Sequence, residues 1–303
     1  MPDTPTCNQT QSFLMERFSR AGISPRTQLG QNFLVDLNLV RVLVRAAGLG
    51  PDDVVLEIGT GTGSLTALMA AEAAAVVTVE IDKELFRLAG EQLRPLANVR
   101  MLQVDALKNK SHFNPEVLEA IVRELSVAPG RRWKLAANLP YQVATPILTN
   151  CLDLDRPPRS MTVTIQKELA DRMQAVPRTK DYGAMSIWMQ SQCRIELVRT
   201  MPPSVFWPRP KVTSAILHIT LDDQLRQRIP DRAFFHQFVR AMFFHRRKFL
   251  RSALVSATKD RLDKPQVDEL MAGQGLSGKA RAEELDVPTM LALCEAVRAA
   301  VAG

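Results

Sequence analysis

Asn138-Leu139-Pro140-Tyr141 sets an amide, a main-chain carbonyl and an aromatic ring side by side. Those groups suit chemistry on the exocyclic amine of a nucleobase. An adenine N6 is a poor nucleophile, because its lone pair is delocalised into the ring. If the Asn138 side-chain oxygen and the Leu139 carbonyl each accept one N6 proton, the nitrogen is drawn towards a tetrahedral geometry and its lone pair localises. Pro140 fixes the local backbone and brings no competing N–H, and Tyr141 offers a face on which an extruded base can stack. The same four residues also suit an Asx-type turn after a strand, followed by a tyrosine over the core. Motifs this short arise by chance, so the surrounding elements must decide.

Short apolar runs alternate with helical stretches through much of the chain: DVVLEI (53–58), VVTVE (76–80), VRMLQV (99–104), WKLAAN (133–138) and MTVTIQ (161–166). Runs that are apolar throughout predict strands buried on both faces, hence a βαβ succession around a parallel sheet. RIELVRT (194–200) and TSAILHITL (213–221) predict two more strands closing the sheet edge, joined by the proline-rich MPPSVFWPRPKV. A helix is predicted from Asp36, where Leu39, Val40, Leu43, Val44 and Ala47 recur at helical spacing before Gly48. After Pro230 the strand signal stops. Phe234, Phe235, Phe238, Met242 and Phe243 share a helical face, and helical patterns follow at 247–258, 265–272 and 288–300. The expected organisation is a flexible or loosely helical extension over residues 1–24, an α/β domain with a mainly parallel seven-stranded sheet over 25–229, and a small all-α domain over 230–303.

DVVLEI runs into Gly59-Thr60-Gly61-Thr62-Gly63, with a helix expected from about Ser64. Alternate glycines let the backbone turn sharply and approach a ligand at the carboxyl end of the strand. The spacing is G-x-G-x-G rather than the dinucleotide G-x-G-x-x-G, and a generic tight turn would look alike. Glu80 ends the next strand, where an acid can accept both ribose hydroxyls of an adenosine. Asp105 ends the third, where a carboxylate can receive an adenine amino group. Either acid alone could equally cap a helix. Three ligand-suited groups after three consecutive strands are harder to reach by chance.

At 303 residues, 46% hydrophobic and 23% charged, the composition is that of a soluble globular protein. The first residues carry neither a basic stretch nor an apolar core, so no signal peptide is expected, and no apolar run approaches a membrane span. Cys7, Cys151, Cys193 and Cys294 are widely spaced and no histidines pair at ligand spacing, which argues against a metal site and a disulfide framework and fits a cytoplasmic protein. The net charge of +7 is local. Between Val205 and Arg251 ten Lys or Arg face three acids, an excess of seven that equals the whole chain's. That segment reads as a polyanion-facing surface, or as a solvated basic face.

Together these motifs make the chain resemble the class I S-adenosylmethionine methyltransferases, and within them the small-subunit ribosomal RNA adenine dimethyltransferases. The resemblance spans nearly all of residues 25–300. It rests on LGQNFLVD (29–36), EIGTGTGSLT, VEID (79–82), Asp105-Ala106, NLPY, IQKELADRM with Tyr182-Gly183, FWPRPKV (206–212) and FFHRRKFLR (243–251). It implies a Rossmann-like methyltransferase domain and S-adenosylmethionine contacts at Gln31, Asn32, Leu34, Gly59, Gly61, Glu80, Ile81, Asp105, Ala106 and Asn138. It implies target-base contacts at Asn138, Leu139, Pro140, Tyr141 and Phe206, with Tyr141 and Phe206 gripping the ring. RNA docking is expected at Arg209, Lys211, Arg246, Arg247, Lys248 and Arg251. The implied partner is the small ribosomal subunit with its 16S rRNA, and a monomer without metal is expected. Thr60 stands where the family often has Pro, and Leu29 where an aromatic is common. Three rivals remain: a macrolide-resistance methyltransferase acting on large-subunit rRNA, a non-catalytic assembly factor, and a nicotinamide-dependent oxidoreductase that would leave NLPY without a use.

Overall fold

The computed structural model describes residues 10–245, 248–259 and 261–302. They form two compact units. The first comprises the chain through Ala170 together with Glu196–Thr220, and the second comprises Asp171–Ile195 together with the chain from Leu221 onward.

In chain order the first unit contains α1 (Gln11–Ala21), β1 (Phe33–Leu34), α2 (Leu37–Ala47), β2 (Asp53–Ile58), α3 (Ser64–Ala70) and β3 (Ala75–Val79). It continues with α4 (Lys83–Leu93), β4 (Val99–Leu102), β5 (Leu107–Asn109), β6 (His112–Phe113), α5 (Pro115–Ser126) and β7 (Arg132–Asn138). Then come α6 (Tyr141–Asp153), β8 (Ser160–Gln166) and the start of α7 (Lys167–Gln174); after α8 (Ala184–Gln190), which belongs to the second unit, the chain returns through β9 (Cys193–Met201), β10 (Phe206–Trp207) and β11 (Ser214–Leu221).

The main sheet has seven strands in the order β4-β3-β2-β7-β8-β11-β9. The pairs joining β4, β3, β2, β7 and β8 are parallel, and β11 runs antiparallel to β8. Every residue of β2 and β3 is buried, as strands covered by helices on both faces must be. The 53–58 run and the helix from Ser64 form at the expected positions. At the amino ends of β2 and β7, Lys134 Nζ lies 2.8 Å from Asp53 Oδ2 and 2.6 Å from the Gly48 carbonyl, so one buried cation ties both strands to the end of α2.

Within the segment before residue 25, Gln11–Ala21 is helical. The Thr10 side chain caps it by accepting from Phe13 N. Leu14 and Phe18, one helical turn apart, are buried against Phe33, Leu85 and Leu88. Residues 1–9 lie outside the described residues.

The second unit adds α9 (Asp223–Gln227), α10 (Arg232–Phe243), α11 (Leu250–Ala257), α12 (Lys264–Gly273) and α13 (Val287–Ala302). Asp222, Asp231 and Asp263 cap α9, α10 and α12 with their carboxylates. Its core joins Trp188 to Phe235 and Tyr182 to Phe243, and the Tyr182 hydroxyl donates to the Leu285 carbonyl at 2.8 Å. Among the described residues no helix is long and apolar enough to cross a membrane.

Candidate active site

The carboxyl ends of β2, β3 and β7, with the segment after β4, surround a cavity of about 250 Å3. Gly59 and Gly61 form its floor with φ of 88° and 57°, a region side chains rarely adopt. A Cβ on Gly61 would meet the Phe33 ring at 3.3 Å, and one on Gly59 would meet the Pro140 ring at 3.5 Å. The loop is thus closed by residues from the two motifs on either side of it.

Glu80, 5% exposed, follows β3 and accepts from Gly61 N through Oε2 and from Asp82 N through Oε1, both at 2.9 Å. Each oxygen keeps a second lone pair, which suits a ribose diol. Burial raises its pKa, and the N–H groups of Asp82 and Gly61 oppose that rise. Asp105 Oδ1 accepts from Leu107 N at 2.9 Å, leaving Oδ2 for an amino group. Ile81 is 50% exposed and, with Ala106, gives the cavity an apolar wall on which an adenine ring can lie. Glycine cradle, diol acceptor, amino acceptor and apolar wall together fit an adenosyl cofactor.

Asn138 ends β7, and its Nδ2 donates to the Asn32 carbonyl at 2.9 Å. That bond fixes which way the amide faces, so Oδ1 is the atom left to accept. Leu139 N donates to Thr164 O at 3.2 Å, while its carbonyl precedes a residue with no N–H. Among the described residues no donor reaches Asn138 Oδ1 or the Leu139 carbonyl, and both residues line the cavity. Pro140 caps α6, and Tyr141 opens it with its hydroxyl 2.6 Å from Ser214 Oγ. Burial raises the Tyr141 pKa, so the phenol stays neutral.

Other expected residues are placed differently. Phe206 is 2% exposed and packs with Leu34, Leu39 and Val40 in the core. It does not line this cavity, and its pairing with Leu34 across β1–β10 sets the two residues in one core cluster. Leu34 shares that cluster and reaches only a smaller adjoining cavity. Gln31 lines the cavity with both amide ends engaged, Oε1 by Arg26 N at 2.6 Å and Nε2 by Asp82 Oδ2 at 3.1 Å, so it staples the loop. Arg209, Lys211 and Lys248 are exposed. Arg251 makes a two-point pair with Asp268 at 2.5 and 2.7 Å, so α12 occupies the guanidinium that was expected to meet RNA. Arg246 and Arg247 lie outside the described residues.

Residues to which the sequence assigned no role also hold the site. Ser214 anchors Tyr141, and Asp82 anchors Gln31. Beneath the glycine loop, Glu57 Oε2 accepts from Thr66 and Thr78 hydroxyls at 2.5 and 2.6 Å, and Thr78 in turn accepts from Thr60 at 2.6 Å. Burial pushes the Glu57 carboxyl up to about 8, and the charge of Glu80 adds to the rise. No local pattern announced this chain of hydroxyls, although the Thr at position 60 was its one visible sign.

Residues 22–296 match the model of the family described as ribosomal RNA adenine dimethylase. The chain is similar to ribosomal RNA small subunit methyltransferase A of Geobacillus thermodenitrificans, 38% identical over 283 residues that cover 93% of this chain and 94% of that protein. A dimethyladenosine transferase from Plasmodium falciparum has a similar fold, with a TM-score of 0.69 at 21% identity over 85% of this chain and 94% of that one. So does the 23S rRNA methyltransferase ErmE, with a TM-score of 0.60 at 23% identity over 88% of this chain and 99% of that one.

Proposed function

The chain belongs to the ribosomal RNA adenine dimethylase family, and from that premise we propose that it methylates N6 of two adjacent adenosines in the 3′-terminal hairpin loop of small-subunit 16S rRNA, using S-adenosylmethionine. The product is N6,N6-dimethyladenosine, formed while the small subunit is assembled in the cytoplasm by a monomeric enzyme.

The observation that carries this reading is the pair of unpartnered acceptors, Asn138 Oδ1 and the Leu139 carbonyl, beside the Tyr141 ring. When bound, S-adenosylmethionine supplies a methyl group made electrophilic by its sulfonium. The chain's own residues need provide no strong base. Glu80 and Asp105 would hold the nucleoside end of the cofactor, and the glycine loop allows close backbone approach. Asn138 Oδ1 and the Leu139 carbonyl each accept an N6 proton and localise the lone pair towards the methyl. Tyr141, its hydroxyl tied to Ser214, presents a fixed ring for an extruded base, and a hairpin loop favours extrusion because its bases are already partly unstacked. After one transfer the methylated N6 releases one proton to solvent and keeps the other, which one of the two acceptors can hold in a second round. Arg209, Lys211 and Lys248 provide sequence-independent phosphate contacts.

Labelled methyl transfer to purified unmethylated small subunits, large subunits and naked rRNA, followed by nucleoside analysis, tests the reading. Dimethyladenosine on small subunits alone is the expected result. Transfer to large subunits would favour the macrolide-resistance type, and cofactor binding without transfer would favour an assembly factor.

A further inference from the structure

Of the two groups assigned to the target base, Asn138 is backed by one end of a short ribbon and Tyr141 by the main sheet, where Ser214 pairs with Gln166 of β8. Asn138 is held through the Asn32 carbonyl, and Asn32 immediately precedes β1. Tyr141 is held by Ser214, which opens β11 a short loop after β10. β1 and β10 pair antiparallel, Phe33 opposite Trp207 and Leu34 opposite Phe206. A ribbon of two residues a side has no stability of its own and takes its position from what packs on it. Leu34 and Phe206 sit in the core cluster with α2. Phe33 and Trp207 belong to a separate cluster with α1.

Phe18 of α1 stands edge-on to Phe33, with ring centroids 5.1 Å apart at 84°, and to Trp207 at 5.3 Å and 67°. It is 2% exposed. The Phe33 ring also lies against Gly61 of the cofactor loop, where an added Cβ would meet it at 3.3 Å. Arg17 fastens α1 to α4, donating to Gln92 Oε1 at 2.7 Å and to the Leu88 carbonyl at 3.0 Å. The helix therefore touches the ribbon and α4, and through the ribbon reaches the glycine loop and Asn138.

We infer that α1 is a positioning element for methyl transfer, with Phe18 setting, through the β1–β10 ribbon, where the Asn138 oxygen stands. This rests on the role given to Asn138 above. Phe18 itself touches neither base nor cofactor. A helix that only stabilised the unit would change how much protein is folded, not how fast each folded molecule reacts. Single-turnover kinetics separates the two, since the rate constant reports the folded complex and the amplitude its quantity.

The test is single-turnover methyl transfer from saturating S-adenosylmethionine to purified small subunits by full-length Phe18→Ala. The rate constant should fall about 10- to 100-fold, the scale of a displacement near 1 Å at a reacting centre. Phe18→Leu, which refills most of the space, should recover part of that loss. A reduced amplitude with an unchanged rate constant would make α1 a stabilising prop and overturn the inference. Should Phe18→Ala not fold, Arg17→Ala keeps the ring and removes the polar ties from α1 to Gln92 and the Leu88 carbonyl; a slowed rate constant supports the inference and a wild-type one overturns it. If the wild-type protein transfers nothing to small subunits, the reading of the site fails and the inference with it. If wild type transfers normally and the variants match it, the inference alone fails.

Discussion

Asn138 carries two duties that a pair of substitutions can separate. Its Oδ1 is assigned to the N6 proton, and its Nδ2 holds the Asn32 carbonyl at 2.9 Å across 106 residues of sequence. Asn138→Ala removes both. Losing a single preorganised acceptor or donor at a reacting centre costs about 3–4 kcal/mol, or roughly 100- to 1000-fold in rate. Losing the hydrogen bond to Asn32 costs about 0.5–1.5 kcal/mol, which should weaken cofactor binding roughly 2- to 12-fold, because Asn32 lies on the cavity wall. Asn138→Asp keeps an acceptor but has no donor for Asn32. It should match the Ala variant in cofactor affinity and exceed it in transfer rate. Calorimetric titration with S-adenosylmethionine and single-turnover transfer to small subunits read the two quantities apart. If Asn138→Ala loses cofactor affinity but keeps a transfer rate near wild type, Asn138 is only a loop staple and the acceptor argument is wrong.

Tyr141→Ala should raise the RNA-dependent barrier by about 1–3 kcal/mol, the value of a lost stacking face, whereas Tyr141→Phe keeps the ring and loses only the Ser214 contact; equal losses in kcat/KM would contradict the stacking role. The folded pKa of Glu57, about 8, lies above its ordinary 4.5, so the folded state holds that proton more tightly and stability should decline as pH rises from about 4.5 to 8. Glu57→Gln removes this titration, and denaturant unfolding across that range should show the variant gaining on wild type by a few kcal/mol; parallel curves would refute a buried protonated carboxyl. RNA affinity should fall steeply with salt, and Lys211→Ala or Lys248→Ala should each lower the slope of log K against log salt by about 1, while Arg251→Ala, already paired with Asp268, lowers it less. Slopes identical to wild type in all three variants would argue against a basic docking face.

The strands were legible because burial on both faces writes itself as unbroken apolar runs, and the glycine loop because its backbone conformation excludes side chains. Asn138, Glu80 and Asp105 were legible as a set because parallel strands put their carboxyl ends at one edge of the sheet. What escaped notice are contacts between distant residues. Ser214 and Tyr141 are 73 positions apart, and a serine beside a strand carries no signal of its partner. Phe206 sits in a recognisable motif, yet its direction follows from pairing with Leu34, which no local period encodes. Helix α1 has only Leu14 and Phe18 buried along eleven polar-rich residues, too short a stripe to stand out, and its receptors Phe33 and Trp207 come from two other segments. Arg251 counted as free charge until Asp268, on the next helix, was placed beside it.

The helical unit is assembled from two separate lengths of chain, with 171–195 supplying part of its core. Tyr182 and Trp188 come from that inner length and meet Phe243, Phe235 and the Leu285 carbonyl from the outer one. A cut after residue 229 would not release a tidy module. It would strip two of the largest buried rings in the protein of their neighbours and leave them facing water on the 1–229 product, a patch that invites aggregation. Grafting the tail of one relative onto the front of another meets the same obstacle: the seam runs through a packed interior, so a workable chimera must exchange both lengths together.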